Sequence, residues 1–236
     1  MIKNLKTKVS TYYKKLDKKL NFTVPNETIF RLLGNHKFNY KNKNCLDIEI
    51  GSGDNLLEFK KRGANIFGID IRKNVTNQFV KKFKLNKNNF YICDLNYDFP
   101  NIKKKMNLIT MKDTLYYIEP DKQFDVFKSV NNQLQNNGLF LFQYVQKELK
   151  LKNNNLFQFD LNKNYSTLRR YHELNNPIPF LTDRHIIKLI KSQNFFILES
   201  IFDIYTHCKK NQIITINRYF LLKKMNITMN GDSLSR

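Results

Sequence analysis

The residues best suited to chemistry are carboxylates and glycines that stand at the ends of short apolar runs. Cys45-Leu46-Asp47-Ile48-Glu49-Ile50 leads into Gly51-Ser52-Gly53-Asp54-Asn55, which opens onto a helical pattern at Leu56, Leu57 and Phe59. A strand, a tight glycine turn and a helix start bring backbone N–H groups close to a ligand, because glycine accepts left-handed angles and adds no side chain. About twenty residues on, Gly68-Ile69-Asp70-Ile71 ends a second apolar run with a carboxylate, the usual partner of ribose hydroxyls in nucleoside-binding α/β units. Tyr91-Ile92-Cys93-Asp94-Leu95 ends a third run in the same way. The chemistry implied is nucleoside binding at strand ends.

The elements that must position these groups alternate along the chain. Period and punctuation predict strands over 45–50, 65–70, 89–94, 106–110 and 138–144, with helices over 54–62, 74–85 and 121–135 and a turn near 113–118. Asn26–Leu33, after Pro25, reads as a short helix stopped by Gly34. Strands separated by helices mean βαβ units and a parallel sheet with right-handed crossovers. Gly138, after Asn136-Asn137, ends a helix and opens the apolar run Leu139–Phe142. Thr182 reads as an N-cap, with Ile186, Ile187, Leu189 and Ile190 as the buried face of the helix that follows. Runs 195–205 and 212–222, joined by Thr206–Asn211, read as a hairpin. The expected fold is a three-layer α/β/α sandwich around a mostly parallel, seven-stranded sheet with an antiparallel C-terminal strand. One domain spans 1–236.

Three segments embellish that domain. Leu5, Val9, Tyr12, Leu16 and Leu20 recur at helical spacing among lysines, so residues 1–40 read as a helical cap that packs its apolar stripe on the domain. Residues 145–180 are polar, rich in Lys, Asn and Tyr, and end in Asn176-Pro177-Ile178-Pro179; so long an insert reads as a lid or acceptor-binding loop. Residues 226–236 read as a loose tail.

Forty-one Lys and Arg against twenty acids give a formal charge of +21. Such a balance suits a nucleic-acid protein or one that handles phosphorylated substrates. Here the cations are mostly Lys, mixed with Asn and scattered, which favours solvated positions over a phosphate-tracking face of clustered Arg and aromatics. No run approaches the roughly 18 apolar residues of a membrane span, and the N-terminus lacks a signal-peptide core. Cys45, Cys93 and Cys208 lie far apart with no metal-ligand spacing, which fits buried thiols in the cytoplasm.

Taken together, these residues resemble the class I S-adenosylmethionine-dependent methyltransferases. That family ends its first strand with an acid, any residue, then Gly-x-Gly-x-Gly; Glu49-Ile50-Gly51-Ser52-Gly53-Asp54-Asn55 matches, with Asn55 in place of the third glycine. Asn tolerates unusual backbone angles, so Asn55→Gly should be tolerated. A dinucleotide fingerprint would instead want its third glycine at Leu56. The resemblance implies that Asp70 binds both ribose hydroxyls and that Asp94 lies near the adenine amino group. It implies a cofactor shell of Glu49, Gly51, Ser52, Gly53, Asp70, Ile71, Asp94, Leu95 and Lys112, with S-adenosyl-L-methionine as cofactor and S-adenosyl-L-homocysteine as product.

Met106–Ile118 resembles the fourth strand and the turn after it, which delivers Asp113, Tyr116 and Tyr117 to the active site. It does not read Asn/Asp-Pro-Pro-Tyr, so the signature of nucleic-acid amino-methylation is absent. Tyr117 either walls the methyl pocket or is an aromatic core position. A hydroxyl acceptor needs a general base; His36, His185 and His207 are poorly placed, and His172, in Arg169-Arg170-Tyr171-His172-Glu173, is the best candidate. Asp47 reads as structural or solvated. The catalytic set expected is therefore His172, Tyr117 and Asp113. Arg169 and Arg170 suit a phosphate or carboxylate, so the acceptor is expected to be small and anionic, methylated on O or N, such as a nucleotide-linked sugar. The alternatives are an RNA or protein methyltransferase, favoured by the charge, and a non-catalytic nucleoside-binding partner.

Overall fold

The computed structural model describes residues 24–150, 181–207 and 213–225. Helix α1 (Glu27–Asn35) starts because the Asn26 side chain accepts the Ile29 N–H at 3.0 Å. It continues through Gly34, which the sequence had suggested as its stop, and buries Ile29, Leu32 and Leu33. The alternation then runs β1 (Asn44–Ile48), α2 (Asp54–Lys61), β2 (Asn65–Asp70), α3 (Lys73–Lys82), β3 (Phe90–Ile92) and β4 (Met106–Met111). A single 3₁₀ turn, Leu115–Tyr117, follows β4. Helix α4 (Pro120–Gln133) opens with proline at its first position, where the missing N–H costs nothing. Strand β5 (Leu134–Lys150), helix α5 (Asp183–Ser192) and the antiparallel strands β6 (Phe195–His207) and β7 (Ile213–Lys224) complete the order.

The sheet has seven strands in the order β3-β2-β1-β4-β5-β7-β6. Strands β1 to β5 pair in parallel, and β7 inserts antiparallel between β5 and β6. The three layers, the parallel sheet and the antiparallel closure are as the sequence predicted. Strand β5 is longer at both ends than the predicted 138–144. It starts at Leu134 because α4 ends at Gln133, and Asn137 takes the left-handed angle (φ 61°) expected of a turn without breaking the strand. Residues 147–150 of the expected insert pair with β7, so the insert's first turn is sheet. Its remainder, 151–180, lies outside the described residues, as do residues 1–23 and the tail.

Alternation sorts the core into two faces. On one, Leu46, Ile48, Ile109, Met111, Phe140, Phe142 and Phe220 pack under α4 and α5. Phe127 meets Phe140 and Phe142 edge-on at 5.4 and 5.3 Å, and Phe142 stacks on Phe220 at 5.4 Å. Such pairs add about 0.5–1.5 kcal/mol each beyond the area they bury. On the other face Cys45, Ile66, Leu108, Leu141 and Leu221 pack under α1, α2 and α3. The second face carries the site.

Candidate cofactor and acceptor site

The turn after β1 is built by left-handed backbone. Glu49 (φ 62°), Gly51 (φ 58°) and Gly53 (φ 82°) alternate with right-handed residues, and the Glu49 and Ile50 N–H groups both donate to the Ile69 carbonyl at 2.8 and 3.3 Å. That pins the turn across the end of β2. Gly53 precedes the first turn of α2, and a Cβ there would sit 2.0 Å from the Phe79 ring of α3. Both the angle and the ring demand glycine. At Gly51 the space is open: a Cβ would meet only the Glu49 carbonyl, at 3.9 Å. A ligand can approach that peptide closely. The Ser52 hydroxyl donates to the Asp54 carboxylate.

Asn55 corrects the reason given for it. It lies within α2 and is not left-handed; its side chain matters instead, accepting the Asn26 N–H at 2.9 Å. Asn26 in turn donates to the Tyr219 hydroxyl at 3.1 Å. The start of α1 is thereby tied to the cofactor turn.

Asp70 is 1% exposed at the end of β2. One of its oxygens accepts the Arg72 N–H (2.8 Å) and Arg72 Nε (3.1 Å); the other accepts the Gly51 N–H and Arg72 Nη2 at 3.2 and 3.1 Å. Four donors match the roughly four lone-pair sites of a carboxylate. A diol can take two of these sites only by displacing the guanidinium, leaving the two backbone donors in place. Ile71 is exposed beside it. Asp94 is half-buried and accepts both the backbone and side-chain N–H groups of Asn96, each at 3.1 Å. Asn96 also donates to the Tyr117 carbonyl and accepts the Glu119 N–H, so Asp94 joins the loops after β3 and β4. Leu95 packs against the core under α4.

At the end of β4, Lys112 and Asp113 form an ion pair. Asp113 is left-handed (φ 57°), and its N–H donates to Gln143 Oε1 at 2.8 Å. Gln143, fully buried, donates in turn to Asn217 Oδ1 at 2.7 Å. The Tyr116 hydroxyl approaches Asp113 at 3.4 Å, and the half-buried Tyr117 ring lies tilted against Tyr116 with centroids 4.5 Å apart. Asp47 is structural: it is buried and accepts the Thr110 hydroxyl at 2.6 Å. Burial pushes its carboxyl up to about 7, with the Thr110 bond and the Lys112 charge pulling the other way. Asp70, Asp47, Gln143 and Asn217 on β2, β1, β5 and β7, with Lys112 just past the end of β4, thus form one polar stripe across five neighbouring strands.

The histidines are not gathered here. His36 pairs with Glu199 at 2.9 Å, and His185 bonds Gln123 at 2.6 Å from α5, on the opposite face. The side chain of His207, and all of His172, Arg169 and Arg170, lie outside the described residues. Sequence reading missed Arg72, Gln143 and Asn217. A lone Gln within Leu139–Val145 was the one available signal, since a polar residue inside a buried strand must have a partner.

The comparisons with known proteins agree with this geometry. A family model described as a methyltransferase domain matches residues 17–200. An S-adenosylmethionine-dependent methyltransferase from Clostridium acetobutylicum superposes with a TM-score of 0.57 at 17% identity, covering 93% of this chain and 92% of that one. One from Methanosarcina mazei gives 0.61 at 14% identity, over 86% and 99%. The N-methyltransferase NodS from Bradyrhizobium japonicum, in complex with S-adenosyl-L-homocysteine, gives 0.57 at 11% identity, over 91% and 99%. No curated protein matches. No helix among the described residues is long and apolar enough to cross a membrane. With its family model covering most of the chain, a seven-stranded sheet of the same fold and a glycine turn facing an acid at the end of β2, the chain belongs to the methyltransferase-domain family.

Proposed function

We propose that the enzyme methylates an oxygen or nitrogen of a small, anionic acceptor, of which a nucleotide-linked sugar is one example. The observation that carries this reading is the Lys112–Asp113 pair at the end of β4, one strand away from the Gly51–Gly53 turn. It offers a cation to hold an anionic group and a carboxylate to receive a proton.

The residues present fit the donor. Gly51 leaves room for close backbone approach, Glu49 and Asp54 supply negative charge for a cationic ligand, Asp70 takes the ribose diol once Arg72 withdraws, and Ile71 and Asp94 flank the adenine. S-adenosylmethionine held there would supply a methyl carbon made electrophilic by its sulfonium, with the sulfur as leaving group for the acceptor's lone pair. A hydroxyl acceptor gives up its proton to Asp113, whose angle and direction are set by Gln143 and, behind it, Asn217. His172 is the second candidate for that proton. A neutral amine needs no such base. Most of the remaining help is alignment.

Turnover across paired anionic and neutral acceptors tests the reading, with S-adenosyl-L-homocysteine affinity measured alongside. Anionic acceptors should be preferred, and Asp113→Asn should cost a hydroxyl acceptor roughly a hundredfold in kcat while leaving product affinity unchanged. Equal use of neutral acceptors, or wild-type kcat toward a hydroxyl acceptor in Asp113→Asn, overturns it.

A further inference from the structure

Among the described residues, the positive charge is not spread evenly. In a sheet whose helices return every strand to the same edge, strand starts and helix ends share one rim. Here α2, α3, α4 and α5 each end within a few residues of the next strand, so their last turns meet the starts of β2, β3, β5 and β6. The final turns of α2, α3 and α5 carry Lys60, Lys61, Lys81, Lys82 and Lys191, which complement the helix dipoles. The dipole does not account for the loops between them. Asn42, beside Lys41, donates its N–H to the Gly63 carbonyl at 2.9 Å, next to the exposed Arg62; Asn65 donates to the Lys43 carbonyl at 2.8 Å; and Asn44 donates to the Lys105 carbonyl at 3.0 Å. Lys105 reaches the Asn132 carbonyl at 2.6 Å, and Lys224 the Asn131 and Leu134 carbonyls at 2.8 and 3.0 Å; burial first, and then the nearby Lys105 charge, disfavour the charged form of Lys224. These contacts knit the loops into one continuous rim. Lys103, Lys104 and Lys105 stand exposed at its centre.

The opposite rim is acidic. The first turns of α1, α2, α4 and α5 carry Glu27, Asp54, Asp121 and Asp183, and the strand ends carry Glu49, Asp70, Asp94 and Asp113. Arg72, Lys73, Lys112, Lys122 and Arg184 stand among these acids, so among the described residues this rim is mixed in charge where the other is predominantly lysine.

We propose that the basic rim docks the phosphate backbone of double-stranded nucleic acid, away from the methyl-transfer site and whatever its acceptor. Seven strands roughly 4.8 Å apart make a rim about 29 Å wide, and a duplex presents one phosphate charge per roughly 1.7 Å of axis. Lysines act on phosphates as point charges, and the exposed amides of Asn42, Asn132, Asn136 and Asn137 donate to phosphate and sugar. A duplex is favoured over a single strand because, among the described residues, Phe196 is the one largely exposed aromatic ring on the rim, and one ring makes no stacking row for successive bases. It is favoured over a membrane because the exposed large apolar side chains there, among the described residues, are Phe196 and Met225 at the β6–β7 corner.

Fluorescence anisotropy of the full chain with labelled duplex RNA and duplex DNA, over a salt series, tests this. Both duplexes should bind, and K103Q/K104Q/K105Q should lower the slope of log K against log salt by roughly 3, one per lost phosphate contact, and weaken binding at least tenfold at about 0.1 M salt. Its S-adenosyl-L-homocysteine affinity should match wild type, showing that it is folded. K122Q/R184Q, at the acidic rim, should bind the duplex as wild type does. Absence of duplex binding at about 50 mM salt, a wild-type slope in the triple variant, tighter binding to a single strand, or binding to phosphatidylserine vesicles in preference to the duplex overturns the proposal.

Discussion

The two rims of the sheet use the same backbone device at different cost. Seven described non-glycine residues are left-handed. Five of them, Lys37, Asn42, Lys84, Asn137 and Asn194, stand at the basic rim, where the chain leaves a helix or turns into a strand and where asparagine adopts the angle cheaply. The other two, Glu49 and Asp113, are acids at the opposite rim, each held in place by a hydrogen bond from its own N–H. Buried carboxylates divide the same way: Asp47 and Asp70 both lie toward the acidic rim. At the basic rim Lys105 and Lys224 satisfy carbonyls around the end of α4, which stabilises the fold. The angle is thus shared by both rims; among the described residues buried carboxylates are found at one alone, the pattern expected where a site is held ready for a ligand.

Three substitutions would break or sharpen that contrast. The largest effect belongs to Gly53→Val, which meets Phe79 and a forbidden angle together; isothermal titration should show no S-adenosyl-L-homocysteine binding, and wild-type affinity would break the assignment of the turn. Next is Asp47→Asn. An acid whose folded pKa is raised binds its proton more tightly in the folded state, so its contribution to stability falls as pH rises from about 4 to about 7 and is level above. The asparagine should remove that loss and raise Tm above neutral pH, the gain in stability shrinking to nothing near pH 4 and not exceeding about 4 kcal/mol. A pH-independent difference would mean that Asp47 is charged in the fold. The smallest is Arg72→Ala. If the guanidinium competes with ribose for Asp70, its removal should tighten S-adenosyl-L-homocysteine binding by a fewfold, about 1 kcal/mol of the bonds it makes. Weaker binding would make Arg72 a ligand contact instead.

Most of the sheet and the cofactor turn were legible because their signals are local. Glu49, Gly51, Gly53 and Asp70 announce themselves through neighbours within a few residues. Gln143 and Asn217 do not: they are 74 positions apart, and only the antiparallel register of β5 with β7 makes them partners. Asn55 shows the same limit from the other side. Read locally it is a substituted glycine; its partner, Asn26, is 29 residues earlier and belongs to another helix. The charge asymmetry was equally hidden, since lysines scattered in sequence converge on one rim only after every strand has been laid parallel.

The position of β7 has a consequence for how the molecule is made. Strands β1 to β4 pair among themselves, but β5 finds its second partner only in residues 213–224. Until those residues emerge from the ribosome, Leu139-Phe140-Leu141-Phe142 forms an open sheet edge with no charge and no proline to protect it. A nascent or truncated chain ending before Ile213 therefore presents a sticky apolar strand to its neighbours, so solubility depends on the strand made last.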